Sequence, residues 1–308
     1  MLATGAAAVL ATGLAVPGSR RLRAQSAPSP AAARRKIGTF EVTVLSDGHL
    51  TMPISLLDRS RPDAEIAGHV SAGLTAPGQL AFAINIALVR TPTDLVLIDA
   101  GAGGAWQASA GKLADALASA GIALDQISKV IITHTHPDHI WGVVDDLDDS
   151  LRFPKAEYFV PAPEWDYWMQ ADPQALPEAI QSVGAGAKRT LKAIEGKTRR
   201  VAPGASALSG FTYVDTAGHT PGHCSVLVGD GSDRLLVTAD AVHHATTSFQ
   251  FPDWQPRADM DGARAIASRR KLLDMAAADK LAVLAYHLPY PGLGRVERTD
   301  TAYRWVAG

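Results

Sequence analysis

The chain carries one cysteine, Cys224, in 308 residues. That excludes an internal disulfide framework and any metal site built from clustered thiolates. A basic excess is also missing: 29 Lys and Arg against 31 Asp and Glu leave a formal net charge of −2. Nothing offsets a phosphate backbone, so no nucleic acid is expected as a partner. The one strongly apolar leader, residues 1–16, is too short to cross a bilayer, so no stable membrane span is expected. With 47% hydrophobic and 19% charged residues, the composition is that of a globular rather than a disordered chain. The length suits one large domain or two small ones.

Residues 1–16 are mostly Ala, Leu, Gly and Val without a charge, as in the core of an export signal, and small residues around Ala24 suit cleavage. The basic end of such a signal is missing, since Arg20, Arg21 and Arg23 follow the apolar run instead of preceding it. The signal reads as truncated. The expectation is a periplasmic or secreted protein, or a cytoplasmic one if the leader is not functional. Residues 24–36 are rich in Pro, Ser and Ala and read as a linker. Residues 1–36 are therefore leader and linker, and 37–308 one folded domain.

Nine short runs read as strands: 40–48, 80–90, 94–101, 129–134, 156–160, 211–218, 224–230, 234–240 and 281–287. Continuous apolar runs such as LVLI and VII suit strands covered on both faces, while FEVTVL alternates as a half-buried strand does. Leu113, Ala116, Leu117 and Ala120 lie at helical spacing with Gly121 as a stop. Residues 174–195 and 260–278 are the other long helix candidates. Strands with interspersed helices predict a layered α/β protein.

Eight of the ten histidines fall in four places: HTHPDH (134–139), GHTPGH (218–223), ADAVHH (239–244) and His287. His134 and His136 are two apart at a strand end, so their rings point to one side. Pro137 ends the strand and lets Asp138 and His139 face another way. Imidazole and carboxylate together suit borderline divalent ions such as zinc, or manganese, iron or cobalt. Four ligands from six residues, aimed two ways, point to two metals.

These residues resemble the HxHxDH motif of the metallo-β-lactamase superfamily, and the later ligands follow in that family's order. The resemblance implies a four-layer αβ/βα sandwich. It implies one metal held by His134, His136 and His219, a second held by Asp138, His139 and His287, and Asp240 bridging both. It makes Asp99 a structural residue behind the ligands. Segments 153–169 and 285–306 further resemble the methyl parathion hydrolase and lactonase-like branch. In that branch, aromatics at the positions of Trp106 and Trp168 line the substrate pocket, and relatives are often homodimers.

The implied activity is that of a dinuclear metal-dependent hydrolase, in which a metal-bridging hydroxide attacks a small-molecule lactone, aryl ester or phosphotriester. Asp138 orients the nucleophile or carries its proton, and His243 is the candidate proton donor to a poor leaving group. His243 stands where the phosphotriesterase-like relatives have an aliphatic residue, which moves the reading towards an esterase or lactonase. A thioesterase or β-lactamase of the same superfamily is the alternative. A metal-binding protein without turnover is the non-enzymatic one.

The other singled-out residues have plainer readings. His223 suits a structural hydrogen bond, and Cys224 a small buried apolar position. The acidic run at Asp145, Asp146, Asp148 and Asp149 reads as a solvated loop, and residues 188–200 as a solvated helix face and its exit. Trp165 and Tyr167 share the start of a helix, with their facing left open.

Overall fold

The computed structural model describes residues 32–70 and 74–308. The expected export leader and cleavage site near Ala24 fall on residues 1–31, outside the described residues. Eight strands form one sheet: β1 (Ala33–Ile37), β2 (Phe40–Pro53), β3 (Leu74–Ala76), β4 (Gln79–Arg90), β5 (Leu95–Ile98), β6 (Lys129–Ile131), β7 (Glu157–Pro161) and β8 (Thr198–Val201). Its order is β1-β2-β4-β5-β6-β7-β8, with β3 beside β4. The pairs from β5 through β8 are parallel and the others antiparallel. The second sheet holds seven strands: β9 (Ser206–Leu208), β10 (Phe211–Asp215), β11 (Cys224–Val228), β12 (Leu235–Val237), β13 (Ala282–Leu284), β14 (Leu293–Arg298) and β15 (Tyr303–Ala307). It runs β15-β14-β13-β12-β11-β10-β9, and only β12 and β13 pair in parallel.

Seven α-helices are described: α1 (Asp63–Ala67), α2 (Leu113–Ser119), α3 (Pro137–Ile140), α4 (Ala162–Gln170), α5 (Glu178–Ile194), α6 (Thr247–Gln250) and α7 (Gly262–Ala278). The strand period of two sorts the side chains into layers. On β4, Ile84, Ile86 and Leu88 pack against α2, α4 and α5, while Ala87 and Val89 face the second sheet. On β13, Ala282 and Leu284 meet the first sheet and Val283 packs with Leu272 and Leu273 of α7. The result is helix, sheet, sheet, helix, the expected αβ/βα sandwich.

Two expectations need correction. The linker does not reach residue 36, because Ala33–Ile37 pairs along β2 as an edge strand with Ile37 buried in the inter-sheet core. The basic stretch ending at Arg200 is not all helix exit, since β8 extends the parallel end of the first sheet. The acidic run is also tied down. Asp146 accepts the Gly104 N–H at 2.7 Å, Asp145 pairs with Arg152, and Asp149 pairs with Arg189 of α5. Among the described residues, no helix is long and apolar enough to cross a membrane.

Candidate metal centre

Parallel strands deliver their carboxyl ends to one edge of a sheet, where loops can converge. Here the loop after β5 carries Asp99, and the loop and short helix after β6 carry His134, His136, Asp138 and His139. From the second sheet, the β10–β11 loop brings His219 and His223, the turn after β12 brings Asp240, and the loop after β13 brings His287. Pro137 occupies the first position of α3, where its missing N–H costs nothing. It turns Asp138 and His139 away from His134 and His136.

The seven expected ligands come together. His134, His136, His219 and Asp240 form one group, and Asp138, His139 and His287 a second, with ligand atoms in each group within 4.8 Å of one another. Asp240 lies between the groups. Its Oδ1 is 3.0 Å from His139 Nε2 and 3.1 Å from His287 Nε2, and its Oδ2 is 3.2 Å from His219 Nε2. Burial would raise the Asp240 carboxyl, but His287 and His139 hold it well below the usual carboxylate range. Burial and the neighbouring His139 ring lower His134, and burial and His219 lower His136. Both rings are therefore neutral and offer lone pairs.

The donor set fits divalent metal. His134 Nε2 and His139 Nε2 are buried without a hydrogen-bond partner, an arrangement costly unless a cation accepts their lone pairs. Each opposite ring nitrogen is already engaged, as ligating imidazoles require. His139 Nδ1 donates to Asp99 Oδ2 at 2.8 Å, and His287 Nδ1 donates to the Ala83 carbonyl at 2.8 Å. His219 Nδ1 meets Asp259 Oδ1 at 2.9 Å, and His134 Nδ1 meets the Thr133 hydroxyl at 3.1 Å.

His223 stands behind the site. Its Nε2 accepts the Asp240 N–H at 3.1 Å while Nδ1 lies 2.9 Å from the Thr216 hydroxyl. Burial is the main reason its ring falls to about 3. Sequence spacing missed Asp259, Arg269 and Tyr286. Asp259 is buried between His219 and the Arg269 guanidinium, 3.2 Å away. Tyr286 stacks on His139 and donates to the Asp138 carbonyl at 2.7 Å. No spacing rule announces Asp259, whose bond to His219 spans 40 residues and arises only on folding.

A cavity of about 620 Å³ opens onto the ligands, lined by His136, Asp138, His219, Asp240 and His287 at its floor. Its walls are mostly apolar, with Leu50, Met52, Phe82, Ile180, Val183 and Met260 among them. Trp106 and Trp168 both line it, as does Tyr167, while Trp165 is buried in the helical layer. His243 lines it too, 96% buried, with neither ring nitrogen hydrogen-bonded. Its ring lies parallel to His287 at 6.0 Å.

The family profile described as metallo-beta-lactamase superfamily matches residues 80–287. The probable metallo-hydrolase YflN of Bacillus subtilis (strain 168) is 30% identical over 178 residues, 55% of this chain and 63% of that protein. The match thus spans less than two thirds of that relative. The structure of AidC, a dizinc quorum-quenching lactonase with a product, N-hexanoyl-L-homoserine, superposes with a TM-score of 0.83 at 31% identity, covering 90% of this chain and 97% of that one. Hydrolase AbOPH of the beta lactamase superfamily superposes with a TM-score of 0.83 at 26% identity, covering 92% and 98%.

Proposed function

The chain belongs to the metallo-beta-lactamase superfamily and is a metal-dependent hydrolase, and from that premise we propose that it opens lactones carrying an apolar acyl chain, with two zinc ions as cofactors. The observation that carries this reading is the apolar cavity set directly over the two His/Asp groups, with His243 in its wall. Likeness to a dizinc lactonase supports it. A volume of about 620 Å³ suits a small-molecule substrate.

The metal pair supplies Lewis acidity and lowers the pKa of bound water from 15.7 to about 7. His134, His136 and His219 would hold one ion and Asp138, His139 and His287 the other, with Asp240 placed between the two groups. Asp138 lines the cavity and takes the proton of the attacking water as its oxygen bonds to the carbonyl carbon. The ring C–O bond breaks, and the leaving oxygen must gain a proton. Burial keeps His243 below the usual imidazole range, though Asp240 opposes this. Its ring is thus neutral at pH 7 and directs an N–H at the leaving oxygen, over which the Asp138 proton is finally delivered. Trp106, Trp168 and Tyr167 bury the acyl chain.

The test is a substrate panel on zinc-loaded protein, with His243→Leu beside wild type. Acyl homoserine lactones of increasing chain length are turned over best, ahead of nitrophenyl acetate and an aryl phosphotriester. The variant loses about 10²-fold or more on lactones and much less on nitrophenyl acetate, whose phenolate leaves unaided. Equal losses on both sink the donor role. Turnover confined to phosphotriesters sinks the lactonase reading.

A further inference from the structure

Glu164 on α4 is fully buried, yet its two oxygens accept five hydrogen bonds, all from uncharged donors. Oε1 takes the Thr135 N–H at 2.9 Å, the Thr135 hydroxyl at 3.0 Å and the Trp168 indole N–H at 2.8 Å. Oε2 takes the Thr220 hydroxyl at 2.7 Å and the Gly222 N–H at 3.0 Å. Thr135 lies between His134 and His136, Thr220 follows His219, and Gly222 precedes His223. One oxygen therefore grips the ligand loop of the first sheet and the other that of the second. The grip is close: a Cβ on Gly222 would lie 2.0 Å from the Glu164 nitrogen. His136 Nδ1 and His219 Nε2, one from each of the two loops, stand 2.8 Å apart.

We propose that Glu164 is a positioning residue, clamping the two loops so that His136 and His219 converge on one cation, with the cavity wall at Trp168 tied to the same carboxylate. This rests on the two-metal reading above. Hydrogen bonds to an ionised acceptor are shorter and roughly twice as strong as neutral ones, and a carboxylate is the one side chain that offers both oxygens as pure acceptors. Glutamine cannot replace it. If its carbonyl keeps the Thr135 and Trp168 donors, its NH₂ confronts the Gly222 N–H and releases the His219 loop. Turned over, it releases the His136 loop instead. Either way the first ion loses a fixed flank, at His134 and His136 or at His219, while Asp138, His139 and His287 make no bond to Glu164.

The experiment compares wild type with Glu164→Gln, each stripped of metal and refilled with zinc. Affinity for each equivalent is read by competition with a chromophoric chelator, and kcat and KM are read on nitrophenyl acetate. Wild type is expected to bind two equivalents. The variant keeps one at wild-type affinity and binds the other about 10- to 100-fold more weakly, with kcat reduced and KM within twofold. Unchanged affinity for both equivalents, or equal weakening of both, overturns the proposal. A wild type that fails to take two equivalents overturns the two-metal reading itself, and the proposal with it. Should Glu164→Gln not fold, Thr220→Val removes one of the two donors to Oε2, leaving the Gly222 N–H, and Thr220→Ser restores it. The same selective loss is expected in the first and recovery in the second, and its absence from both overturns the clamp.

Discussion

Asp99→Asn exchanges one carboxylate oxygen for an NH₂ group and should disable one half of the metal centre. Asp99 Oδ1 accepts the Thr133 N–H at 2.8 Å, and Oδ2 accepts the Thr133 hydroxyl and His139 Nδ1, each at 2.8 Å. Asparagine that keeps the backbone bond must turn its NH₂ towards His139. Nδ1 then has to accept, which moves the ring proton to Nε2, the atom 3.6 Å from Asp138 Oδ2 and 3.0 Å from Asp240 Oδ1. A protonated Nε2 has no lone pair for a metal. Turning the amide over instead sets NH₂ against the Thr133 N–H inside a fully buried pocket. Loss of such an orienting carboxylate costs about 10- to 100-fold in metal affinity, or about 1.4–2.8 kcal/mol. The assay is zinc competition against a chromophoric chelator, with circular dichroism confirming the fold. The ion held by Asp138, His139 and His287 weakens and the other does not. Wild-type affinity within twofold at both would refute the tautomer argument.

Three further outcomes follow from particular groups. Burial alone would lower His219, but hydrogen bonds and charge from Asp240 and Asp259 lift its ring to about 9, so without metal it is protonated at pH 7. Zinc uptake must expel that proton, and affinity should rise about tenfold per pH unit below pH 9. Calorimetric heats identical in buffers of different ionisation enthalpy would contradict this. Burial raises Asp47 from 3.8 to about 6 against backbone N–H bonds from Ala102, Gly111 and Leu113. Its stabilising share is complete below pH 3.8 and lost as pH rises through 6. The gap between wild type and the non-titrating Asp47→Asn should therefore move by about 3 kcal/mol in the variant's favour from pH 3.8 to 7, as read by urea unfolding. Val183→Trp fills the cavity wall, and each methylene it excludes is worth about 0.8 kcal/mol. KM should rise at least about tenfold for a ten-carbon acyl lactone and little for a four-carbon one, whereas equal changes would place the chain elsewhere.

The histidine centre was legible because chain-local spacing carries its geometry. His134 and His136 two apart, followed by Pro137, define a direction and a turn whatever surrounds them. Strands covered on both faces were legible for the same reason, since β5 and β12 are continuous apolar runs. Edge and outer strands were not. In β1, Arg34, Arg35 and Lys36 are exposed, and a strand that buries one residue in five leaves no period to read. In β14, Arg295 and Glu297 break the apolar pattern while Val296 alone packs inward among them. Glu164 and Asp259 were invisible for a different reason. Glu164 holds loops 29 to 58 residues away and Asp259 holds His219 across 40, and a lone carboxylate carries no mark of what folding will bring to it. Trp168 shows the middle case: it reads as a pocket aromatic by resemblance, but its indole bond to Glu164 appears only in three dimensions.

The most direct measurement is the zinc content of dialysed protein, wild type beside Asp240→Ala, because the Asp240 carboxylate lies within reach of both groups. The account predicts about two equivalents per chain in wild type and loss of zinc together with hydrolysis in the variant. A variant that keeps both ions and full turnover, or a wild type that holds none, would contradict it.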